Sequence, residues 1–378
     1  MNVLFIGPCS SEWALVNRPV SLAATKWTAG LLKALQKNCH VQVLTHSFEN
    51  TWPKGKTLWC KADAKLFPNW IECTGISYPP VKYIREYWLE RQYSSKAEDV
   101  IKKSHIDVVL FYNCYFPWQV GIMRHIKQVF GNAIKVIPII LDGDDPRKDD
   151  WQWIKRAARW SDGIAMMSWW VYENCPCKLP LLHFDGGSDG WNGTFPESMN
   201  PKVRLVHTGS LDQWRGFDFM IDVVDYFRGK DIEFVFCGKT SAKALEKEFH
   251  DCSNVRLLGM VEESRLTEIC SSADVLLNVR DPNHPDNILN YPSKLPHYLS
   301  FGRPVVSTRL QSLGPEYAEV VNYPEDDTVQ SYCKKVEEVL AWGLERKQVE
   351  YRKIKTWFDT HKRWNMLADT MVEWLTSL

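Results

Sequence analysis

Short aliphatic and β-branched runs alternate with longer amphipathic stretches along the whole chain. Runs at Val3–Ile6, Val41–Thr45, Ile106–Tyr112, Val136–Leu141 and Gly163–Met167 are too short for helices and apolar on both faces, which predicts buried parallel strands. The stretches Ala24–Gln36 and Ile84–Lys103 place apolar residues three and four apart and predict helices between them. A second series repeats the plan: strands at Val203–Thr208, Ile232–Cys237, Val255–Leu258, Val275–Val279 and Pro304–Ser307, and helices at Phe217–Phe227 and Ser264–Ser271. Each series reads as a doubly wound, Rossmann-like α/β unit.

Between the two series lies Phe184–Pro201, rich in Gly, Ser, Asn and Pro and without a period, which predicts a hinge. From about Arg352 the chain is helical and aromatic, with Trp357, Trp364, Met366, Met371 and Trp374, and no strand follows. Such a segment needs a folded surface to cover. The expected organisation is therefore an N-terminal domain over residues 1–185, a C-terminal domain over 186–355, and a terminal helix over 356–378 returning to the first domain. Ligands of doubly wound sheets bind beyond the carboxyl ends of the strands, so the expected site is a cleft between the two domains.

Composition narrows the class. The 378 residues are 45% hydrophobic and 24% charged, ordinary values for globular domains and wrong for disorder or coiled coil. Lys plus Arg and Asp plus Glu are 46 each, so no overall field draws the protein onto nucleic acid. The balance is uneven, since residues 1–190 carry 23 basic and 18 acidic side chains. An anionic partner should prefer that half. Eleven scattered cysteines read as reduced thiols rather than a disulfide framework, and Cys175-Pro-Cys177 lacks the spacing of a zinc half-site. The start has no basic residue before its short apolar run, and no 18-residue apolar run occurs, so a cytoplasmic protein is expected.

The densest chemistry lies in DVLLNVRDPNHPDNILNYPSKLPHYLSFGRPVVSTRL, Asp274–Leu310. A buried strand leads through a polar loop to a helix opening at Ser293, stopped by Gly302 and followed by a second strand. First-turn amides and the helix dipole suit a phosphate group, and Lys294 adds charge beside it. An ordinary capped helix is the alternative reading of the helix start alone.

In full, this passage resembles the signature of retaining GT-B glycosyltransferases of family 4, particularly polysaccharide-assembly members. Their Asn-x-Arg, Pro-Ser-Lys and Tyr…Gly-Lys/Arg-Pro-Val elements are matched by Asn278, Arg280, Pro292, Ser293, Lys294, Tyr298, Gly302, Arg303, Pro304 and Val305. VRLVHTGSLDQWRGFDF resembles the family's first donor-domain strand and Gly loop, with Gly209, Arg215 and Gly216 in place, and Asn254–Val279 matches a later strand, Gly259 and helix. The resemblance implies a donor site made by Gly209, Ser210, Arg215, Gly238, Lys239, Met260, Val261, Arg280, Pro292, Ser293, Lys294, Leu295 and His297. It implies that Arg215 and Lys294 stabilise the departing diphosphate, with Ser210 standing where the family usually has an arginine. No metal and no cofactor are implied beyond the nucleoside diphosphate sugar itself. One position departs: the family's ribose-binding glutamate is here His297, and Leu289 replaces its companion acid, with Asp286 the nearest carboxylate. A neutral imidazole nitrogen still suits a ribose hydroxyl.

In the first half, KVIPIILDGDDPRKDD presents Asp142, Asp144 and Asp145 after a strand. A metal-holding Asp-x-Asp, a phosphatase-type nucleophile pair, sugar-hydroxyl acceptors and a solvated turn all fit this pattern. Asp142 and Asp144 are carried as catalytic candidates. The loop after the first strand lacks a dinucleotide fingerprint, and Ser10, Ser11, Asn17 and Arg18 are its acceptor-binding candidates, with a plain surface loop as the other reading. His40, His46, His125 and His207 lack ligand-like spacing and are expected to be structural. Twelve of eighteen tryptophans precede residue 180, and Val81–Ser104 interleaves Tyr83, Tyr87, Trp88 and Tyr93 with Lys82, Arg85, Arg91, Lys102 and Lys103. This stretch suits a membrane surface, stacked sugars, or an amphipathic helix with an aromatic core face.

The expected activity is retaining transfer of a sugar from a nucleoside diphosphate sugar to a hydroxyl of a glycan or glycolipid, of the cell-surface polysaccharide type. The expected location is the cytoplasm, with peripheral membrane contact through the first domain. Rival readings are a GT-B nucleotide-sugar epimerase or phosphorylase, a phage-type DNA base glucosyltransferase, and an inactive nucleotide or sugar binder.

Overall fold

A computed structural model describes residues 1–193, 202–211, 216–238, 247–281 and 284–378, with the Asp286 side chain outside the description. The chain divides into two compact units, Met1–Asp185 with Trp364–Leu378, and Gly186–Arg363.

Among the described residues the first unit holds a seven-stranded sheet: β1 (Asn2–Ile6), β2 (His40–Thr45), β3 (Glu72–Gly75), β4 (Val108–Tyr112), β5 (Lys135–Ile140), β6 (Ile164–Met166) and β7 (Leu181–His183). Their order is β3-β2-β1-β4-β5-β6-β7 and every pairing is parallel. The second unit has six strands: β8 (Val203–Thr208), β9 (Ile232–Cys237), β10 (Val255–Gly259), β11 (Val275–Asn278), β12 (Val305–Ser307) and β13 (Val321–Asn322). Their order, β10-β9-β8-β11-β12-β13, is again all parallel. This is the pair of Rossmann-like sheets that the hydropathy pattern predicts, because strands buried on both faces must read as continuous apolar runs. The sequence reading omits β3, β7 and β13. All three are sheet edges of two to four residues, too short to leave an apolar signature.

In each sheet the chain reverses its direction of winding once, between β1 and β4 and between β8 and β11. Loops leave on opposite faces at those points and open a crevice at the strands' carboxyl ends. The crevice walls in the first unit are tight, since a Cβ on Gly7 would meet the Tyr112 Cβ at 2.4 Å.

The first unit packs α1 (Glu12–Asn17), α2 (Leu22–Leu35), α3 (Ile84–Ser104), α4 (Pro117–Phe130), α5 (Gln152–Ala158) and α6 (Trp169–Asn174) around its sheet. In α3 the buried residues Leu89, Tyr93, Ala97 and Ile101 recur every four positions, one core stripe, so the aromatic core face is the correct reading of the helix body. The second unit carries α7 (Phe217–Tyr226), α8 (Glu263–Ser271), α9 (Lys294–Ser300), α10 (Val329–Leu340) and α11 (Leu344–His361). No described helix is long and apolar enough to cross a membrane.

The terminal helix α12 (Trp364–Ser377) belongs to the first unit. It begins at residue 364 rather than 356, because α11 continues to His361 within the second unit and the break at Lys362–Arg363 is held by Ser188. The Ser188 N–H donates to the Lys362 carbonyl at 3.0 Å. Trp364 sets its ring 5.8 Å from Trp27 in a T-shaped contact and lies directly over Gly30, where a Cβ would meet the indole at 2.1 Å. Asn38 donates to Asp369 at 2.9 Å and Lys135 to the Leu375 carbonyl at 2.8 Å.

His46 lies among the rings of Tyr78, Tyr93 and Trp118, with Nδ1 2.7 Å from the Tyr93 hydroxyl. Burial, with Arg85 nearby, pulls its pKa down to about 4.

Two predictions follow from this packing. Gly30→Ala must displace Trp364, and the expected loss is about 1–3 kcal/mol, read as a lower thermal midpoint. For His46 the folded pKa lies below the unfolded value, so the unfolded chain takes up the proton first and stability falls as pH drops from about 6.5 towards about 4. Urea titrations at pH 7 and pH 5 should differ by roughly 2 kcal/mol from this group, a difference that shrinks in His46→Gln.

Candidate functional site

The second unit's switch point is built from three parallel strand ends and two loops. Residues Gly209 and Gly238 follow β8 and β9 at φ +94° and +135°. A Cβ on Gly238 would meet the Gly209 carbonyl oxygen at 2.5 Å, so backbone lies on backbone and no larger residue fits. Gly209 N–H donates to the Cys237 carbonyl at 2.8 Å and Gly238 N–H to the Gly259 carbonyl at 2.7 Å, which aligns the three ends. Across the reversal, a Cβ on Gly216 would meet Val279 Cγ1 at 2.9 Å and Arg280 Cα at 3.2 Å, so the start of α7 lies against the end of β11.

Helix α9 is anchored over the end of β8 by two residues one turn apart. The Tyr298 hydroxyl, fully buried, accepts from the Thr208 N–H at 2.6 Å. One turn earlier, Lys294 Nζ lies 3.1 Å from His207 Nε2. The His207 Nδ1 is 3.2 Å from the Leu277 carbonyl, which fixes the proton on that nitrogen. Burial first, then the charges of Lys294 and Arg280, hold this imidazole well below its ordinary pKa, so a neutral ring faces the ammonium group. Sequence reasoning placed His207 among the structural histidines; its contact with Lys294 comes from strand-to-helix packing that no linear spacing encodes.

Several expected donor contacts have other duties. Arg280 is buried, and its Nη1 donates to the Asn290 carbonyl at 2.8 Å and to Asn287 Oδ1 at 3.3 Å, with Nη2 3.4 Å from the Tyr291 carbonyl. It braces the loop that delivers Pro292, Ser293 and Lys294. Ser293 occupies the N-cap position with helical angles, φ −54° and ψ −18°, and makes no side-chain cap bond, which corrects the expected N-cap role. Leu295 is wholly buried and its N–H is spent on the Pro292 carbonyl at 2.8 Å, so it offers a ligand neither side chain nor amide. Pro292 is likewise buried. Ser210 is half-buried after Gly209, Met260 is 63% exposed after β10, and Val261 is half-buried beside it. His297 lies on α9 with its ring edge-on to Phe301 at 4.8 Å. Arg215 and Lys239 lie outside the described residues.

In the first unit the expected acceptor residues are largely engaged. Ser11 caps α1, accepting from the Ala14 N–H at 3.2 Å and donating to the Lys65 carbonyl at 2.5 Å. Asn17 donates back to the Trp13 carbonyl at 2.8 Å, and Arg18 pairs with Glu49. These three serve local structure, which favours the surface-loop reading. Ser10 is half-buried at the end of the β1 loop.

The aspartates behave differently from one another. Asp145 is buried and takes both carboxylate oxygens to Arg147, whose hydrogen bonds hold its carboxyl below the usual range. Asp142 and Asp144 stay exposed at the carboxyl end of β5. Asn113, at φ +62° after β4, accepts from the Leu141 and Asp142 N–H groups at 2.7 and 3.1 Å and so fastens the two strand ends together. Although Asp142 reaches solvent, the protein packed around the strand ends partly desolvates its carboxyl and shifts it upward, opposed by the Asn113 amide at 3.5 Å. Asp144 accepts from the Tyr115 hydroxyl, whose own pKa rises in consequence. Tyr115, Phe116, Asp144, Trp153 and Arg156 line a depression of about 380 Å3. Tyr115 in the loop after β4 and Trp153 and Arg156 on α5 were not singled out as site residues from the sequence, because a lone aromatic or arginine in a loop or short helix has no motif of its own. Among the described residues no group of three or more His, Cys, Asp or Glu side chains is placed to hold a metal ion.

Residues 202–341 match the model of the family described as glycosyl transferases group 1. No curated protein matches the chain. Solved structures resemble it over its full length at low identity. A glycosyltransferase from Rickettsia africae is 10% identical at a TM-score of 0.71, covering 100% of this chain and 98% of its own. The lipopolysaccharide outer core galactosyltransferase WaaB, in its apo form, is 12% identical at 0.67, covering 100% and 99%. HepE from Anabaena, in complex with UDP, is 10% identical at 0.68, covering 100% of both chains. The likeness to GT-B, family 4-like glycosyltransferases that the motifs carried therefore stands: the second unit holds the group 1 match, and the chain has the GT-B fold.

Tyr298→Phe leaves the buried Thr208 N–H without an acceptor, and the expected cost is about 1–3 kcal/mol in urea titration. A change below a few tenths would show that the α9 anchor is replaceable.

Proposed function

We propose that the protein is a retaining glycosyltransferase that moves a sugar from a nucleoside diphosphate sugar to a hydroxyl of a glycan or glycolipid acceptor. The observation that carries the reading is the second unit's switch point, where Lys294 is held at the end of β8 within the span that matches the glycosyl transferases group 1 family. HepE from Anabaena, a similar structure solved with UDP, lends further support to a nucleotide ligand.

On this reading the ammonium of Lys294 and the guanidinium of Arg215 meet the diphosphate of the donor. The ammonium of Lys294 is held in place before reaction, and as the bond to the sugar breaks the two charges stabilise the charge gathering on the leaving group. Such cations suffice for this role without a metal. The strand-end glycines admit the nucleotide close to the backbone, and His297 offers a ring nitrogen to a ribose hydroxyl. Arg280 acts indirectly, through the loop it braces. The first unit takes the acceptor beside Asp142 and Asp144, whose carboxylates accept from sugar hydroxyls while the half-buried Tyr115 offers a ring face. The acceptor proton passes to the departing phosphate, so no protein base is required. The reading places the protein in the cytoplasm, at the inner face of a membrane when the acceptor is lipid-linked.

Calorimetric titration with UDP, GDP and ADP, without added metal, checks this directly. One nucleotide should bind selectively, and Lys294→Ala and Arg215→Ala should each weaken it by roughly tenfold or more, the worth of a charged hydrogen bond. The parent nucleoside should bind both variants like the native protein. No binding of any diphosphate would remove the donor site, and binding without turnover on any acceptor would favour an inactive binder.

A further inference from the structure

Six of the chain's exposed large apolar side chains gather on one face of the first unit: Trp52, Leu58, Trp59, Tyr83, Ile84 and Tyr87, between 44% and 79% exposed. They come from two stretches far apart in sequence that the fold lays side by side. Trp52 forms a bridge with Val81, its N–H donating to the Pro80 carbonyl at 2.7 Å, and Cys60 pairs with Tyr78. Arg85 donates to the Thr51 hydroxyl at 3.3 Å, and Trp59 meets Trp88 edge-on at 5.4 Å. The face is therefore one surface, made from the 51–60 loop and the entry to α3.

Its ionisable groups are mostly of one sign. Lys54, Lys56 and Lys82 are exposed within the same two stretches, joined by half-buried Arg85, against half-buried Glu86; just beyond the loop, exposed Lys61 is followed by exposed Asp63. In a molecule with equal numbers of acids and bases this is a local cationic field. Tyr83 presents its ring at 79% exposure from a backbone at φ +67°, a conformation disfavoured for a bulky residue, with Lys82 Nζ 5.0 Å from the ring centre.

We infer that this face docks the protein on an anionic lipid bilayer. Tryptophan and tyrosine carry an apolar body and a polar tip suited to the boundary between headgroups and acyl chains, and Leu58 and Ile84 enter the acyl side. The lysines reach the phosphates around them. A protein partner fits less well, because the cores of protein interfaces are depleted in lysine and here lysines interleave with the rings. A soluble sugar fits less well too, since exposed aliphatic side chains offer nothing to hydroxyl groups. The inference adds the docking surface and the lipid charge to the membrane placement proposed above, and it does not depend on the nucleotide site.

Vesicle flotation of the full chain tests it, with phosphatidylcholine vesicles and mixed phosphatidylglycerol–phosphatidylcholine vesicles as probes. The native protein should float with the mixed vesicles, weakly with pure phosphatidylcholine, and less as salt is raised. Lys54→Glu with Lys56→Glu should lower the partition coefficient by roughly fivefold or more for each lysine. Leu58→Ser with Ile84→Ser should lower it by at least fivefold. Lys102→Glu with Lys103→Glu, exposed at the far end of α3, should change it less than twofold. All substitutions are on exposed side chains, so thermal midpoints should match the native protein. No flotation of the native protein overturns the inference, as does equal binding to both vesicle types or an equal loss in the far-end variant. A dimer in ultracentrifugation that Leu58→Ser with Ile84→Ser dissolves, with flotation unchanged, makes the face a self-contact and overturns it as well. Nucleotide titration on the same variants keeps the two readings apart: flotation without nucleotide binding removes only the donor site, and the reverse removes only the docking face.

Discussion

The contact of Gly238 with the backbone of Gly209, and of Gly216 with Val279 and Arg280, is the constraint on which the second unit's site depends. Parallel strands end at one edge of a sheet, so their loops compete for the same space. Where two loops must leave in opposite directions beside each other, only a residue without Cβ lets them pass closely. That close passage brings the end of β8 under α9, and α9 then has two anchors to make. Tyr298 bonds the backbone of Thr208 and Lys294 reaches His207, so one helical face carries both the structural bond and the charge. The charge is thus placed by the same packing that holds the helix.

Arg280 shows how a motif residue can be necessary without touching a ligand. Its guanidinium spans Asn287, Asn290 and Tyr291, three groups of the loop before Lys294. The Tyr291 hydroxyl in turn meets that of Tyr317 at 2.5 Å, and the Ser312 hydroxyl donates to the Asn290 carbonyl at 3.3 Å. A buried arginine with a planar fork suits this bracing task, since several carbonyls satisfy its donors at fixed angles. A lysine would satisfy fewer of them.

The sheets were legible because burial on both faces leaves continuous apolar runs, and the two series of runs divided at the hinge. Three of the four edges were not, since β3, β7 and β13 are two to four residues long and give no periodic signal. For the site, sequence pattern located the loops but misassigned several side chains within them. Leu295 and Ser11 stand in the right segments, yet one is core and the other a helix cap. Motif spacing states which residues lie near a strand end; it does not state which way each side chain turns. Asn113 and His207 were hidden for the complementary reason. Each acts on a neighbouring strand or helix distant in sequence, and such neighbours exist only after folding.

The surplus of tryptophan in the first unit resolves by burial. Trp27 and Trp364 meet at right angles and close the terminal helix over α2, while Trp153 is 2% exposed beside Tyr115. These rings need no ligand to account for them. Trp52 and Trp59 are different, because they stay about half exposed although Trp52 is bridged to Val81 and Trp59 directly precedes Cys60, which is bridged to Tyr78. A ring fixed by its backbone yet left in water keeps an unfavourable hydration that a second surface would relieve. The body of α3 obeys the core pattern and its first turn does not, so one amphipathic segment serves the core along its length and offers apolar groups outward only where it meets the 51–60 loop.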